Sequence, residues 1–564
     1  MKSLYLIVSG LLFFCFSLKA EDKVYERVYV HTDKNCYVAG EDILLKFYVV
    51  DSHFQPSGLS KVGYVEICNT QKHWMQIEVA LENGGGAGKI KIPTELPSGI
   101  YRLSGYTRYM RNEGEKVFFN KQIAIVNVEE QTPDSNRFVL VEKFEDIQSP
   151  EERPSEEKEA IHPVVKTEQS VYDNRSRVVL SLDHIPGNTA DLVISVSRDD
   201  SIAKVPEIND GDWLTQVKDT FPFSHQWIPE YEGQIISGRY VPEPKEPLRS
   251  SLAFVGNDIR YFCGKEDTLS RTINFYTSSM ITGKQQIVTS AMSLTYNNAP
   301  YRVDLLNPFS DFLPAGLPVL QICPNEKQLM ERYIGVQLKG KMGIDSLSNS
   351  IQPARYCTSQ PVESFDLDQY TRFGSINETM LEFIYEARVS KIEGKRRIRL
   401  FMNDGLGFNQ GNTLVLLDGV PVYDHEDILK YNPMYIKMIN IYNEQFLFGD
   451  NFYQGIVSFV TREADLPFFQ VSERSQLFNY DCPQLPPSFE IPDYSIDLNK
   501  NSTKPDFRHT LYWNPFVKYT TGQPVNLSFY TSDLCGEFKV TVEGITTDGK
   551  MIHGASRFRV TASR

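Results

Sequence analysis

The sequence predicts a mainly β protein in which several β-sandwiches follow one another and an α+β domain is inserted among them. Short alternating apolar runs are separated by turn residues about every eight to twelve positions, a spacing typical of sandwiches. Aromatic residues make up 12% of the chain, with 30 Tyr and 34 Phe, which favours strands. The phrase Phe-Tyr-Thr-Ser occurs at 275–278 and again at 529–532, which indicates a repeated type of domain.

Composition sets the class of protein. A length of 564 residues allows about three to five domains. Hydrophobic residues at 41% and charged residues at 23% are ordinary for globular domains. A net charge of −14 argues against nucleic-acid binding, because phosphate affinity comes from clustered Lys and Arg.

Residues 1–20 have the pattern of a signal peptide. Lys2 supplies a positive charge, an apolar run follows from Leu4 to Leu18, and Ala20 offers a cleavage point. The run is too short for a comfortable membrane span, and no other stretch of the sequence approaches that length, so the mature chain is expected to have no transmembrane segment. Lipidation at Cys15 is an alternative that the bulky Phe14 before it disfavours. The chain is therefore expected to be exported.

The remaining cysteines give no disulfide framework. Of 8 Cys, seven follow the signal peptide; they are scattered and contain no CxxC. We interpret most as small buried apolar residues, with a Cys36–Cys68 bridge as an alternative.

Residues 22–129 are predicted to form the first β-sandwich. The stretches VYVHTDKNCYVAGEDILLKFYVVD (28–51) and LPSGIYRLSGYTRY (96–109) carry alternating apolar residues around polar turns. This region resembles a macroglobulin-type domain of the α2-macroglobulin family. That family's protease traps carry a Cys–Gln thioester, whereas Cys263 is followed by Gly264-Lys265-Glu266 without the Gln. The resemblance therefore implies sandwiches without a covalent trap.

Changes in composition divide the rest of the chain. Glu and Pro crowd residues 130–164, which we interpret as a solvated acidic linker, with an acidic docking segment as the alternative. The other predicted divisions are a second sandwich at 165–235, a third at 236–325, an inserted domain at 366–463, an irregular tether at 464–506 and a C-terminal sandwich segment at 507–564.

The inserted domain carries the most specific pattern of the chain. Leu414–Leu417 is a short buried strand, Asp418-Gly419 turns the chain, and strand-like runs follow at 436–441 and 456–460. This order resembles the plug domain of TonB-dependent outer-membrane receptors, whose systems are widespread in Bacteroidetes. A receptor's plug precedes a barrel of about 22 strands, and only about a hundred residues follow Arg462. The resemblance implies a plug-like domain without its own barrel.

This resemblance implies a docking role and a location in the periplasm or at the outer membrane. We expect two exposed loops to contact a separate barrel, another envelope protein or an unknown ligand. The candidate docking residues are Asp418, Gly419, Val420, Pro421, Tyr423, Gly449 and Gly455.

Motifs for catalysis are missing from the sequence. It contains no HExxH, GxSxG or Walker-type motif, so we predict no catalytic residue, cofactor or metal. The densest ionisable cluster, 424–427, is either a metal or proton site or an exposed loop. A hydrolase hidden in residues 199–246 is a further alternative.

The sequence therefore predicts a non-enzymatic binding or docking protein of the cell envelope, linked to receptor systems through its plug-like domain. The alternative is a protease-interaction protein related to the macroglobulins but lacking the thioester.

Overall fold

A computed structural model describes residues 25–130, 134–142, 144, 161–183, 189–200, 202–203, 205, 221–268, 270–277, 281–293, 301–323, 325–342, 360–403, 407–448, 450–495, 503–520 and 523–562. The predicted signal peptide, Cys15 and Gly449 lie outside these ranges, as does most of the predicted acidic linker.

Strands dominate these ranges, which confirms the mainly β class. In the first half of the chain the strands are β1 Arg27–Thr32, β2 Cys36–Val38, β3 Asp42–Val50, β4 Val62–Cys68, β5 His73–Ala80, β6 Gly85–Lys91, β7 Gly99–Thr107, β8 Phe119–Val126, β9 Phe138–Leu140, β10 Val164–Thr167, β11 Val171–Asp173, β12 Arg177–Asp183, β13 Thr189–Arg198, β14 Ile235–Val241, β15 Leu248–Phe254, β16 Tyr261–Asp267, β17 Thr272–Tyr276 and β18 Lys284–Ser293.

The second half adds three helices. In chain order its elements are β19 Arg302–Leu305, β20 Leu320–Ile322, α1 Glu326–Met342, β21 Glu363–Asp366, α2 Ile376–Phe383, β22 Ala387–Ile392, β23 Lys395–Met402, β24 Gly407–Phe408, β25 Leu414–Leu417, β26 Val420–Pro421, α3 His425–Lys430, β27 Ile436–Phe448, β28 Asn451–Thr461, β29 Ser475–Asp481, β30 Thr510–Thr520, β31 Val525–Tyr530, β32 Gly536–Thr546 and β33 Met551–Thr561.

The first sandwich occupies the predicted region. Its two sheets have the strand orders β1-β3-β6 and β2-β8-β7-β4-β5. Phe47 of β3 is fully buried between them, and a Cβ on Gly63 of the facing strand β4 would lie 2.9 Å from its ring, as expected for inward-facing residues of a sandwich. Cys36 and Cys68 are free thiols, so the alternative of a bridge between them is wrong.

The second sandwich is built from two distant parts of the chain. Its sheets have the orders β10-β12-β31 and β11-β33-β32-β13-β30. The predicted division into a second sandwich at 165–235 and a separate C-terminal segment at 507–564 is therefore wrong. Strands from both regions share each sheet, because neither set can bury its apolar face alone.

The third unit is one seven-stranded sheet, β19-β14-β17-β16-β15-β18-β29. Its last strand comes from the region predicted as an irregular tether, 464–506. Here β29 pairs with β18 along seven residue pairs, from Lys284 with Asp481 to Ser290 with Ser475. We call this unit the host sheet, because the inserted domain lies between β19 and β29 in the chain.

The inserted module has a five-stranded sheet, β21-β27-β28-β25-β26, and a smaller sheet, β22-β23-β24. Helices α2 and α3 pack with these sheets around a core that includes Leu416, Ile439 and Phe459. Ala253 and Tyr261 of the host sheet belong to the same core. The module is thus inserted in the host sheet, and the host sheet is inserted in the second sandwich.

Helix α1 and the short strand pair β9–β20 lie between the first sandwich and the residues that follow β13 of the second sandwich. The mixed apolar and polar sequence at 326–338 predicts a linking segment, and the structure shows that it is part of helix α1. Phe138, inside the predicted acidic linker, is buried and pairs in parallel with Leu320. Part of that linker is therefore structural. Within the described ranges, no helix has the length and apolar character needed to cross a membrane.

Candidate functional site

The predicted docking turn begins at the end of β25. Asp418 and Gly419 have φ values of +46° and +78°, and Leu417 pairs with Val420 across them. This left-handed backbone is tolerated by Asp and Gly better than by other residues, which is why Asp-Gly makes the two-residue turn. The predicted strand and turn are both confirmed.

The Asp418 side chain fastens this turn from inside. It is fully buried, and its carboxylate accepts hydrogen bonds from the backbone N–H and hydroxyl of Thr461 at 2.7 Å each. The Leu466 N–H donates a third bond at 2.9 Å. Burial raises the pKa of Asp418, and these donors act against that rise. Asp418 therefore stabilises the fold of the module by joining the turn to the end of β28 and to the segment that follows it.

The turn is buried against the host sheet, so the predicted exposure of residues 418–423 is wrong. The Gly256 N–H donates to the Asp418 carbonyl at 2.9 Å. A Cβ on Gly419 would lie 2.8 Å from the Phe254 carbonyl oxygen. Val420 and Pro421 are buried as well. The turn has the predicted conformation, but the surface that it contacts is the host sheet of the same chain.

Tyr423, the next predicted docking residue, also faces the host sheet. Its hydroxyl lies 2.8 Å from the Ser251 hydroxyl. The predicted contact residues of this loop thus form an internal joint between the module and β15.

The second predicted loop is mostly strand. Gly455 lies within β28, is buried and has a φ of +88°. A Cβ there would come within 2.5 Å of the Leu400 side chain. The hairpin end instead touches the host sheet, where the Phe448 and Tyr261 rings lie 5.3 Å apart. The Cys263 thiol also donates to the Phe448 carbonyl at 2.8 Å.

A groove of about 620 Å³ borders the joint. Charges of both signs lie on its wall, where Lys395 and Asp424 are 3.4 Å apart and Arg397 donates to the Tyr423 carbonyl at 2.9 Å. Its lining comprises Met292, Ser293, Lys395, Arg397, Val420, Pro421, Val422, Tyr423, Asp424, Asp427, Phe469, Val471, Ser472, Glu473, Arg474 and Ser475.

The ionisable cluster at 424–427 holds α3 in place. Asp424 caps the helix by accepting from the Glu426 N–H at 3.1 Å. His425 is buried and its Nδ1 accepts from the Ile398 N–H at 2.9 Å, while burial lowers its pKa to about 4. Glu426 binds the guanidinium of Arg396. These contacts give the cluster a structural role. Across the described residues, no group of three or more His, Cys, Asp or Glu is arranged to hold a metal ion.

The most exposed apolar side chains lie on and just after the module. Among the described large apolar residues, the four with exposures above 70% are Leu381, Tyr385, Leu447 and Phe468, at 76%, 82%, 72% and 84%. Two of them flank the end of α2. We call Tyr370, Leu381, Phe383 and Tyr385 the α2 face.

Two aromatic rings of this face, those of Tyr370 and Phe383, are held by packing. The Tyr370 and Phe383 rings stack 4.4 Å apart, and Phe383 also contacts Phe365 at 5.8 Å. Ser375 caps α2 by accepting from the Glu378 N–H at 3.2 Å. The helix that carries Leu381 and the two rings beside it are therefore fixed in place, while Leu381 and Tyr385 are exposed.

The apolar residues Met380, Leu381, Phe383 and Ile384 predict an amphipathic helix at 379–388, and α2 runs from Ile376 to Phe383. The structure buries Met380 and Ile384 but exposes Leu381. Met380 and Leu381 are adjacent and therefore point in directions about 100° apart around the helix, and the side that packs on the sheets buries only Met380 of the two. Two adjacent large apolar residues in a short amphipathic helix were the feature of the sequence that could have indicated an exposed apolar side chain.

An ion cluster ties the α2 face to the central strands. Arg462 donates to both oxygens of Asp368 at 2.9 and 2.7 Å. Arg372 binds Asp368 as well, and donates to the carbonyls of Pro433 and Ile436 at 2.9 and 2.8 Å. The segment before α2 is thereby joined to the start of β27 and the end of β28.

Comparison with known proteins gives structural neighbours alone. No protein-family model matches the chain, and no curated protein matches it. Among solved structures, the chain is similar to a Salmonella α2-macroglobulin reacted with methylamine, with 8% identity, a TM-score of 0.25 and coverage of 96% of this chain and 40% of the other. It is also similar to the native conformation of Escherichia coli α2-macroglobulin, with 9% identity, a TM-score of 0.23 and coverage of 95% and 40%. The chain thus spans about 40% of the length of these proteins, and at these scores they say nothing about its activity.

Proposed function

We propose that this protein is a non-enzymatic binding protein of the cell envelope whose inserted module docks onto an outer-membrane barrel protein through the α2 face. The main observation behind this proposal is that the most exposed of the described large apolar side chains lie in this module or within a few residues after it. Single exposed apolar residues are ordinary, whereas an apolar surface formed by several residues is typical of an interaction site.

The attachment of the module supports the choice of face. The turn at Asp418-Gly419 and the hairpin end at Phe448 are occupied by the host sheet. Leu381 and Tyr385 remain open to solvent, and aromatic residues are favoured anchors at interfaces. The resemblance of 412–462 to receptor plugs supports a barrel as the partner, and the signal-like pattern of residues 1–20 supports export.

A pull-down from the native envelope in mild detergent tests this proposal. The tagged full chain is compared with the double variant Leu381→Ser/Tyr385→Ser, and the recovered proteins are identified by mass spectrometry. We expect the full chain to recover a barrel protein and the double variant to recover at least about tenfold less, since losing two anchors costs about 1.4 kcal/mol or more.

Phe312→Ser is the matched control, because Phe312 is 45% exposed and lies outside the module. This variant should recover the barrel fully. Equal recovery by the double variant would contradict docking through the α2 face. Equal recovery after deletion of 366–463 would contradict docking by the module. An envelope protease recovered in place of a barrel would favour the protease-interaction alternative.

A further inference from the structure

Three segments meet at a joint between the first sandwich and the host sheet. They are β5, the extended residues 221–234 that lead into β14, and the end of β29. The backbone of Gln484 joins two of them, accepting from the Ala80 N–H at 2.9 Å and donating to the Glu78 carbonyl at 2.8 Å. The Lys61 N–H donates to the Glu230 carbonyl at 2.8 Å.

Two glutamate side chains are buried at this joint. Glu78 is 4% exposed and Glu230 is 1% exposed. The Tyr64 hydroxyl lies 3.0 Å from both oxygens of the Glu230 carboxyl, and the Ile235 N–H donates to one of them at 2.8 Å. The Gln234 amide donates to the Glu78 carboxyl and, at 3.0 Å, to the Tyr480 hydroxyl.

The nearby cations are engaged elsewhere. Arg108 donates at 3.4 Å to the Ile235 carbonyl, and its guanidinium lies 4.9 Å from the Trp227 ring. Arg111 lies 3.8 Å from the same ring and donates to the Pro308 carbonyl at 3.0 Å. These contacts leave the two carboxyl groups held by neutral donors.

Burial and like charge disfavour ionisation at this place. Burial raises the pKa of Glu230 to about 7, against the lowering effect of Arg108 and Arg111. Burial raises the pKa of Glu78 well above its ordinary value, and the negative charges of Glu230 and Asp481 raise it further. Two carboxyl groups in one buried site do not ionise together easily.

We propose that Glu78 and Glu230 form a proton-binding site that closes the joint between the first sandwich and the host sheet in mild acid and loosens it as pH rises. The closed joint binds protons more tightly than the open one. The stability that Glu230 adds is complete below the ordinary glutamate value of about 4.5 and is lost as pH rises through about 7. This inference is independent of the docking role.

Hydrogen–deuterium exchange of the full chain between pH 5 and pH 8 tests the site. The readout is the opening equilibrium of residues 228–236, corrected for the pH dependence of intrinsic exchange. In the wild type we expect opening to increase by up to about tenfold per pH unit for each proton released. Glu230→Gln should reduce this slope, because the variant has one titrating group fewer.

Glu82→Gln is the control, because Glu82 is exposed in the same sandwich. It should keep the wild-type slope. A wild-type opening equilibrium that does not change with pH would overturn the proposal, and so would an unchanged slope in both Glu230→Gln and Glu78→Gln. Infrared spectra of the wild type add a test without substitution: the un-ionised carboxylic acid signal should persist at pH 6, and its absence would also overturn the site.

Discussion

At the scale of single residues, the two-residue turn at Asp418 and Gly419 forms a contact between the module and the host sheet. Asp418 and Gly419 adopt the left-handed backbone that the dipeptide favours. The sequence cannot show that Gly256 and Phe254 cover this turn, because they lie more than 150 positions earlier in the chain. Turn chemistry is local, whereas exposure depends on distant packing.

Substitution of Gly419 by Ala should loosen the joint between module and host. The added Cβ would meet the carbonyl oxygens of Phe254 and Asp258 at 2.8 and 3.0 Å, in addition to the strain of a positive φ. We expect the local opening free energy of β25 to fall by about 2–4 kcal/mol, combining φ strain with overpacking. Hydrogen exchange of β25 and β28 measures it.

The control for this substitution is Gly394→Ala. Gly394 has a φ of +82°, and a Cβ there would meet nothing within 4 Å. It should cost only the backbone strain of about 1–2 kcal/mol. If Gly394→Ala and Gly419→Ala lower the local opening free energy equally, the close contact of Gly419 with the host sheet contributes nothing to stability. That result would contradict the joint between the module and the host sheet.

At the scale of elements, strands with clear periodicity were predicted and α1 was not. Leu414–Leu417 is a strand with the predicted bounds, because a short apolar run between turn residues leaves few alternatives. Helix α1 buries Arg332, a residue that pattern reading assigns to the surface. A helix with a buried charge has no clear apolar stripe to find.

Arg332 fixes α1 between the first and second sandwiches. It binds the Glu41 carboxylate through two nitrogens, one at 2.8 Å, and the Asp200 carboxylate at 3.2 Å. It also donates to the Cys36 carbonyl at 2.9 Å. Although burial acts to raise it, Arg332 holds the pKa of Glu41 well below its ordinary value.

We expect Arg332→Ala to destabilise this contact by about 3–5 kcal/mol, since it removes the guanidinium from the enclosed Asp200 carboxylate and leaves Glu41 with Lys34, whose Nζ lies 3.1 Å away. Hydrogen exchange of α1 and β2 measures the loss. Arg271→Ala removes the exposed pair with Glu243, whose side chains are 75% and 71% exposed, and should change stability by less than about 0.5 kcal/mol. A loss as small for Arg332→Ala would show that its network does not hold the helix.

At the scale of the whole molecule, the sequence could not predict that the module is inserted in the host sheet and the host sheet in the second sandwich. In the second sandwich, β12 pairs with β31 from Arg177 with Tyr530 onward, across roughly 350 intervening residues. Periodicity predicts that a strand exists but not which strand it joins. Sequence analysis found the first sandwich and the inserted module because each is formed from one continuous stretch.

Across the whole molecule, the module faces its host sheet with the Asp418 turn, and we propose that its other contact surface, the α2 face, binds a partner in the cell envelope. Tyr423 and Tyr385 mark these two sides, since Tyr423 contacts Ser251 of the host and Tyr385 is 82% exposed. The same substitution at both positions therefore compares the two faces directly.

The most direct measurement is photocrosslinking in the native envelope, with a photoreactive phenylalanine analogue replacing either Tyr385 or Tyr423. We predict crosslinks from position 385 to an outer-membrane barrel protein, and crosslinks from position 423 only within the chain, to the host sheet. Crosslinks to a partner from position 423, or none to a partner from position 385, would contradict the claim.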